Sequence, residues 1–166
     1  MTDFALMQRL LPCLLDRLTD DDPQSQVESR DRRVISLSRY RSSVLRDLAW
    51  LLNTRAPDTG GQDADFAEVA RSVLGFGVRD VCGLTVSSIN VEQMEMEVRR
   101  AIADFEPRIT SSSLVVQIAV NPKEMGSNAI TFQIKGELWA QPVPEAFDVK
   151  TEVDLETGRW DVREGS

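Results

Sequence analysis

The hydrophobic residues of this chain are spaced in two different ways, and the change falls near residue 107. Before it, apolar positions recur every three or four residues, which is the spacing of one face of a helix. The segments with this spacing are 4–18, 44–52 and 91–105. After it, apolar and polar residues alternate, which is typical of strands buried on one face. The alternating segments are 114–120, 130–138 and 147–155, followed by a tight turn at 156–158 into Trp160 and Val162.

This order of elements predicts an α+β fold. N-terminal helices should pack on one face of a C-terminal, mostly antiparallel sheet that ends in a β-hairpin. The chain has 166 residues, of which 42% are hydrophobic and 28% are charged. That length and composition are typical of a single folded domain with its own hydrophobic core.

The first 26 residues are predicted to differ from the rest of the chain. The helix over 4–18 has Asp3 as its predicted N-cap, contains Pro12, and leads into the polar segment 19–26. Such a helix either packs on the domain or serves as an arm that binds a partner, and we favour the packed helix. We therefore divide the chain into an amphipathic helix with a polar linker, residues 1–26, and a single domain, residues 27–166.

Two shorter patterns lie between the second and third predicted helices. Apolar residues within 66–74 end at the glycine-rich segment 75–77, which predicts a turn. A phosphate-binding loop is excluded there, because no Gly-Lys followed by Ser or Thr comes after the glycines. Ser87 or Ser88 is predicted to cap the third helix, which ends at Pro107.

The charge balance restricts the partners that the chain can have. It contains 19 Lys and Arg against 27 Asp and Glu, a net charge of −8, which disfavours an extended surface for nucleic acid. The arginine-rich segment 30–46 with Tyr40 could bind RNA, but acidic residues interrupt it, so we interpret it as a solvated or protein-docking face. The N-terminal segment has neither a basic n-region nor a long apolar run. We predict a cytoplasmic protein with no nucleic-acid partner and no direct membrane insertion.

The sequence also restricts the available chemistry, because it contains no histidine. Ser-His and Cys-His nucleophiles and His-containing metal sites are therefore excluded. Cys13 and Cys82 are far apart and have apolar neighbours, which predicts two buried, reduced thiols. We expect no metal and no cofactor, and only carboxylate chemistry remains for catalysis.

Glu106, Pro107 and Arg108 form a short element at the change of period. Pro107 ends the helix and keeps Glu106 out of the α region, and residues two apart in an extended chain point to the same side. Glu106 and Arg108 can therefore act together, with the guanidinium as a planar donor for carboxylate or carbonyl groups. Either they form an internal ion pair that joins the helix end to the sheet, or they dock onto a partner.

Three segments carry a resemblance to a known family. The first is 43–55, with Arg-Asp-Leu followed by Leu-Leu-Asn-Thr-Arg, and the second is 72–83, with Ser-Val-Leu-Gly-Phe-Gly before Asp and Gly. The third is the Glu-Pro-Arg element within 105–109, followed by 130–138 and 151–158. In this order they resemble the family of phage-baseplate wedge proteins and type VI secretion baseplate subunits, in particular the subunits called TssE.

The resemblance implies a non-enzymatic structural subunit of a contractile-tail-like baseplate, in the cytoplasm at a membrane-docked assembly. Its implied partners are wedge subunits such as TssF, TssG and TssK, and sheath subunits such as TssB and TssC. The implied mechanism is strand sharing at an exposed sheet edge, for which the C-terminal hairpin is the candidate. The implied interface residues are Glu106, Pro107, Arg108, Arg46, Asp47, Asn53 and Arg55.

Two alternative functions remain open from the sequence. A lysozyme-like glycosidase needs only two carboxylates, and Glu106 with Asp104 or Glu137 is the candidate pair. The three tryptophans are scattered along the chain rather than grouped as a sugar-binding surface, which argues against this reading. The other alternative is an anti-adaptor that binds a response regulator, because that family shares the same fold group.

Overall fold

The computed structural model describes residues 10, 12–19, 24, 35–57, 66–119, 128–140 and 143–165. Four α-helices lie in the first part of the described chain: α1 (Leu14–Leu18), α2 (Leu37–Asn53), α3 (Ala67–Ala70) and α4 (Val91–Phe105). Four strands follow: β1 (Val115–Ala119), β2 (Ala129–Leu138), β3 (Glu145–Asp154) and β4 (Trp160–Glu164). The predicted α+β fold with a C-terminal hairpin is confirmed.

The strands form one antiparallel sheet in the order β1-β2-β3-β4, so β1 and β4 are its edges among the described residues. Phe132 lies opposite Ile118 on one side and opposite Thr151 on the other. Alternate residues of the two central strands are buried beneath the helices, as the period of two requires. They include Ile130, Phe132, Ile134, Leu138, Phe147, Val149 and Val153.

The two long helices cover this buried face, with α2 over β4 and α4 beside β1. Ser36 caps α2 by accepting a hydrogen bond from the Arg39 N–H, so the helix begins seven residues before its predicted apolar stripe. The buried side of α2 carries Val44, Leu48 and Leu52. The core therefore lies between two helices and one face of the sheet.

The prediction of a serine cap for α4 is wrong. Ser88 ends a short 3₁₀ turn, Val86–Ser88, where its hydroxyl bonds with the main chain of Thr85. With that side chain occupied, Asn90 caps α4 by accepting a hydrogen bond from the Gln93 N–H at 3.0 Å. The predicted turn at 75–77 is present and ends a short 3₁₀ segment, Val73–Gly75.

The first predicted helix is shorter than its apolar pattern suggests. Leu10 is buried in a β-bridge with Ile35, and among the described residues of this segment only Leu14–Leu18 is helical, because Pro12 fits no position beyond the first helical turn. Asp3, residues 4–9 and most of the polar linker lie outside the described residues, so the division at residue 26 stays a prediction.

The cysteine prediction is half wrong: both thiols are free, but Cys13 is half-buried and Cys82 is exposed.

Candidate functional site

Glu106 and Arg108 form a close ion pair at the end of α4. Arg108 Nε donates to Glu106 Oε1 at 2.6 Å, and its Nη2 donates to Oε2 at 2.5 Å. The fork-to-fork geometry is the strongest form of such a pair. Glu106 is only 3% exposed, so its carboxylate depends on this guanidinium for the interactions that water would otherwise supply. The two side chains lie close together as predicted, but the backbone is not extended there: residues 106–109 form a turn, in which the Ile109 N–H donates to the Glu106 carbonyl at 3.1 Å.

The same guanidinium also reaches helix α2. Its Nη2 donates to Asp47 Oδ2 at 2.6 Å, and its Nη1 donates to Ser43 Oγ at 3.2 Å. Burial lowers the pKa of Arg108, but hydrogen bonds and charge attraction from Glu106 and Asp47 outweigh it and raise the pKa above its ordinary value. Arg108 therefore stays charged and joins α2 to the point where α4 ends and the chain turns toward β1.

Two further charges extend the network to α1. Arg46 donates to Asp47 Oδ1 at 2.8 Å and to Asp16 Oδ1 at 2.5 Å, and its guanidinium lies 5.1 Å from the ring centroid of Trp50. The hydrogen bond with Asp16 is the largest contribution that raises the pKa of Arg46. Burial raises the pKa of Asp16, but its bonds with Arg46 and Cys13 outweigh this and lower it. Acidic and basic side chains thus alternate from α1 across α2 to Glu106.

An apolar groove of about 690 Å³ lies beside this network. Its rims are Trp50, which is 51% exposed, and Trp139, which is 60% exposed. Tyr40 Oη donates to the Trp139 carbonyl at 3.0 Å, and the Trp139 N–H donates to the Arg108 carbonyl at 2.7 Å, so the second rim is anchored to α2 and to the ion-pair element. Burial is the main cause of the raised pKa of Tyr40. Apolar side chains contributed by distant segments include Leu10, Leu51, Phe76 and Phe105.

Asn53 and Arg55 lie away from this groove, beside a smaller cavity of about 170 Å³. Arg55 is exposed and pairs with Asp80 at 3.1 Å. Asn53 Nδ2 donates to the Trp160 carbonyl, and Asn53 Oδ1 accepts from the Trp160 N–H, each at 3.0 Å. The seven residues named from the sequence therefore fall into two groups: the Glu106–Arg108 element with Arg46 and Asp47, and a separate pair at the end of α2.

Replacing Asn53 by alanine is expected to lower the free energy of unfolding by about 2 kcal/mol, because several side-chain hydrogen bonds to the main chain are lost. Asn53→Asp should cost a similar amount, since the carboxylate can accept from the Trp160 N–H but cannot donate to its carbonyl. Urea denaturation followed by circular dichroism measures both changes. A loss below about 0.5 kcal/mol for Asn53→Ala would show that the amide does not fasten α2 to β4.

Two residues of the network, Ser43 and Asp16, and one residue of the groove, Trp139, were not identified from the sequence. Ser43 precedes Asp47 by one helical turn and so shares its face, which is a detectable signal. Asp16 and Trp139 carried no such signal, because their places depend on how α1 and the end of β2 fold back on α2.

The structure also supplies the geometry of the proposed glycosidase pair. Both oxygens of Glu106 accept hydrogen bonds from Arg108, Asp104 pairs with Arg71 and Arg100 at 3.6 Å, and Glu137 is exposed on β2.

A family model described as baseplate wedge protein gp25 matches residues 38–143. This span contains all of α2 but its first residue, α4, the Glu106–Arg108 pair and both groove tryptophans, and it is more than half of the chain. The chain belongs to this family. No curated protein and no solved structure gives a significant match.

Membership of the baseplate wedge family confirms the resemblance that the three segments carry. The family is one of structural baseplate proteins, which favours an assembly role over the anti-adaptor alternative. The matched span ends before β3, so the C-terminal hairpin lies outside it. Within the described part of the chain, no helix is both long and apolar enough to span a bilayer. The same residues contain no group of three Cys, Asp or Glu side chains placed to hold a metal ion.

Proposed function

We propose that the chain is a structural subunit of a type VI secretion baseplate that binds wedge subunits and offers a starting point for the contractile sheath. The observation that carries the proposal is the family match across 38–143, which includes the Glu106–Arg108 pair and most of the residues that line the groove. The order of the three sequence segments supports the type VI branch of the family. The proposed location is the cytoplasm, at a membrane-docked baseplate.

The apolar groove is the proposed surface for wedge subunits related to TssF, TssG and TssK. The two half-exposed tryptophans that line the groove are the type of side chain that dominates protein interfaces. The ion pair below them supports the proposal indirectly: Glu106 and Arg108 neutralise each other and fix the groove's floor, while Trp50 and Trp139 supply the contact. In this proposal the Glu-Pro-Arg element positions the docking surface and contributes little contact area itself.

Co-purification tests this assignment. The double variant Trp50→Ala/Trp139→Ala is expected to weaken binding to co-expressed wedge subunits by about thirtyfold or more, because two exposed anchors are lost. Phe66→Ala is the matched control, because Phe66 is also aromatic and 59% exposed but does not line the groove. It should bind as the wild type does. Equal binding by the double variant and the control would contradict the proposed groove, provided that circular dichroism shows both folded.

The free sheet edge is the proposed surface for sheath subunits related to TssB and TssC. An unpaired edge presents N–H and C=O groups that an incoming strand can satisfy. The sheet order leaves β1 and β4 at the two edges, so the fold has two candidates for this role.

A further inference from the structure

We infer that the protein accepts a sheath strand at β4 and not at β1, and that pairing begins at Val162. The inference rests on the proposed function, since it names which edge the sheath subunit uses and in which register. The evidence for it is a set of hydrogen bonds from side chains of α2 and α4 to the main-chain groups of β1 and β4 that point away from the sheet.

The outer edge of β1 is occupied by α4. Glu95 Oε1 accepts a hydrogen bond from the Ile118 N–H at 2.6 Å, and Arg99 Nε donates to the Leu114 carbonyl at 3.1 Å. Glu95 and Arg99 are one helical turn apart, so α4 holds this edge at both ends of the strand. An incoming strand at β1 would have to displace a carboxylate and a guanidinium from the main-chain groups that it needs.

The first residue of β4 is closed in a similar way by α2. Asn53 bonds to both the N–H and the C=O of Trp160, as a neighbouring strand would do. Both groups of Trp160 therefore point away from β3. In an antiparallel pair this orientation recurs at every second residue, so Val162 and Glu164 also point outward. The Gly165 N–H, which donates to the Asp148 carbonyl of β3 at 2.9 Å, confirms the alternation.

The outward N–H groups of Val162 and Glu164 donate no hydrogen bond, and their C=O groups accept none, within the part of the chain that the structure describes. They form the open part of the edge. Arg41 of α2 pairs with Glu164 at 3.1 Å and marks the far end of this open segment, while Asn53 marks its start. Arg41 and Asn53 are twelve residues apart along α2, a rise of about 18 Å, which matches about five residues of an extended strand.

The side chains beside the open edge indicate what the strand must carry. Leu45 of α2 and Val162 of β4 are partly buried at the margin of the core. A strand laid against β4 would place alternate side chains under α2, next to these two residues. A small or apolar residue fits there, whereas a charged one would lose its hydration. The inferred ligand is therefore a sheath segment of about five extended residues with an apolar residue opposite Val162.

Proline substitution separates the two edges. Val162→Pro removes an outward N–H that the fold does not use, and proline is tolerated on an edge strand in that orientation. The variant is expected to bind co-expressed sheath subunits about tenfold or more weakly than the wild type, while its binding to wedge subunits stays unchanged. Val162→Thr, which keeps the N–H and the branched shape, should bind both as the wild type does. Glu164→Pro tests the same edge at an exposed position if Val162→Pro does not fold.

Val116→Pro is the matched change on β1, where the N–H also points outward, and it should leave sheath binding intact. Sheath binding by Val162→Pro and Glu164→Pro at wild-type strength would overturn the assignment to β4 and leave the sheath role standing. Loss with Val116→Pro alone would move the site to β1 and overturn the inference. A wild-type protein that binds wedge subunits but no sheath subunit would remove the sheath role itself, and the inference with it.

Discussion

Replacing Arg108 by alanine is expected to lower the free energy of unfolding by about 3–5 kcal/mol, the cost of removing one partner from a buried ion pair. Glu106 is almost fully buried, and Arg108 donates to both of its oxygens. Without the guanidinium, a carboxylate in the core has no ionic partner, and Ser43 and Asp47 of α2 lose their bonds to the end of α4. Urea denaturation gives the free energy, and near-ultraviolet circular dichroism reports the packing of the tryptophans.

Two further variants show whether charge or geometry causes the loss. Arg108→Lys keeps the charge but loses the planar fork, so it should fall between the wild type and Arg108→Ala. The double variant Glu106→Gln/Arg108→Leu removes both charges and should be more stable than Arg108→Ala, because no unpaired charge is left buried. If Arg108→Ala cost less than about 1 kcal/mol, the pair would not be an internal brace.

Replacing Gly77 by alanine is expected to lower the free energy of unfolding by about 4 kcal/mol. Gly77 has φ +127°, and an added Cβ would lie 2.4 Å from the Thr54 carbonyl oxygen and 2.8 Å from the Ala56 nitrogen. Backbone strain of about 1–3 kcal/mol therefore adds to an overpacking cost of about 1–3 kcal/mol. The neighbouring chain cannot move away easily, because Val78 bonds to both Thr54 and Ala56 across this contact.

Gly83→Ala is the matched control for the backbone term. Gly83 also has a positive φ, +79°, but no atom lies within 4 Å of an added Cβ. Its loss should be limited to strain, about 1–2 kcal/mol. Thermal or urea denaturation of both variants measures the difference. Equal losses at the two glycines would contradict the close approach of 77 to the end of α2.

The structure connects these two sites to the proposed assembly roles. Arg108 fixes the end of α4 against α2 and so sets the spacing between Trp50 and Trp139. Gly77 lets the segment after α3 pass close to the end of α2, where Asn53 holds β4. Both surfaces therefore depend on α2. Asp47 and Trp50 of this helix line the groove, and Arg41 and Asn53 contact β4. Damage to either site should reduce binding only as far as it reduces folding.

Much of the candidate site could be predicted from local rules. The pairing of Glu106 with Arg108 across the proline that ends the helix is confirmed, but a turn over 106–109, and not the predicted extended backbone, brings the two side chains together. Arg46 and Asp47 were named as residues of a helical surface, and they join the same network. Asn53 and Arg55 belong to the same prediction, but Asn53 is the last residue of α2 and bonds to Trp160 of β4, while Arg55 follows the helix and pairs with Asp80. Spacing alone does not say which neighbour a helical face meets.

The sequence by itself determined the α+β class, the two long helices, the strands and the terminal hairpin, because helical and strand periods depend only on which positions are apolar. It also determined family membership, through three ordered segments. Only the tertiary structure decided that Arg108 bonds to Asp47 and Ser43 of α2, and that Glu95, Arg99 and Asn53 bond to sheet edges. Those partners lie between 15 and 107 residues apart along the chain. Contacts at such separations arise from helix-on-sheet packing and leave no period in the sequence.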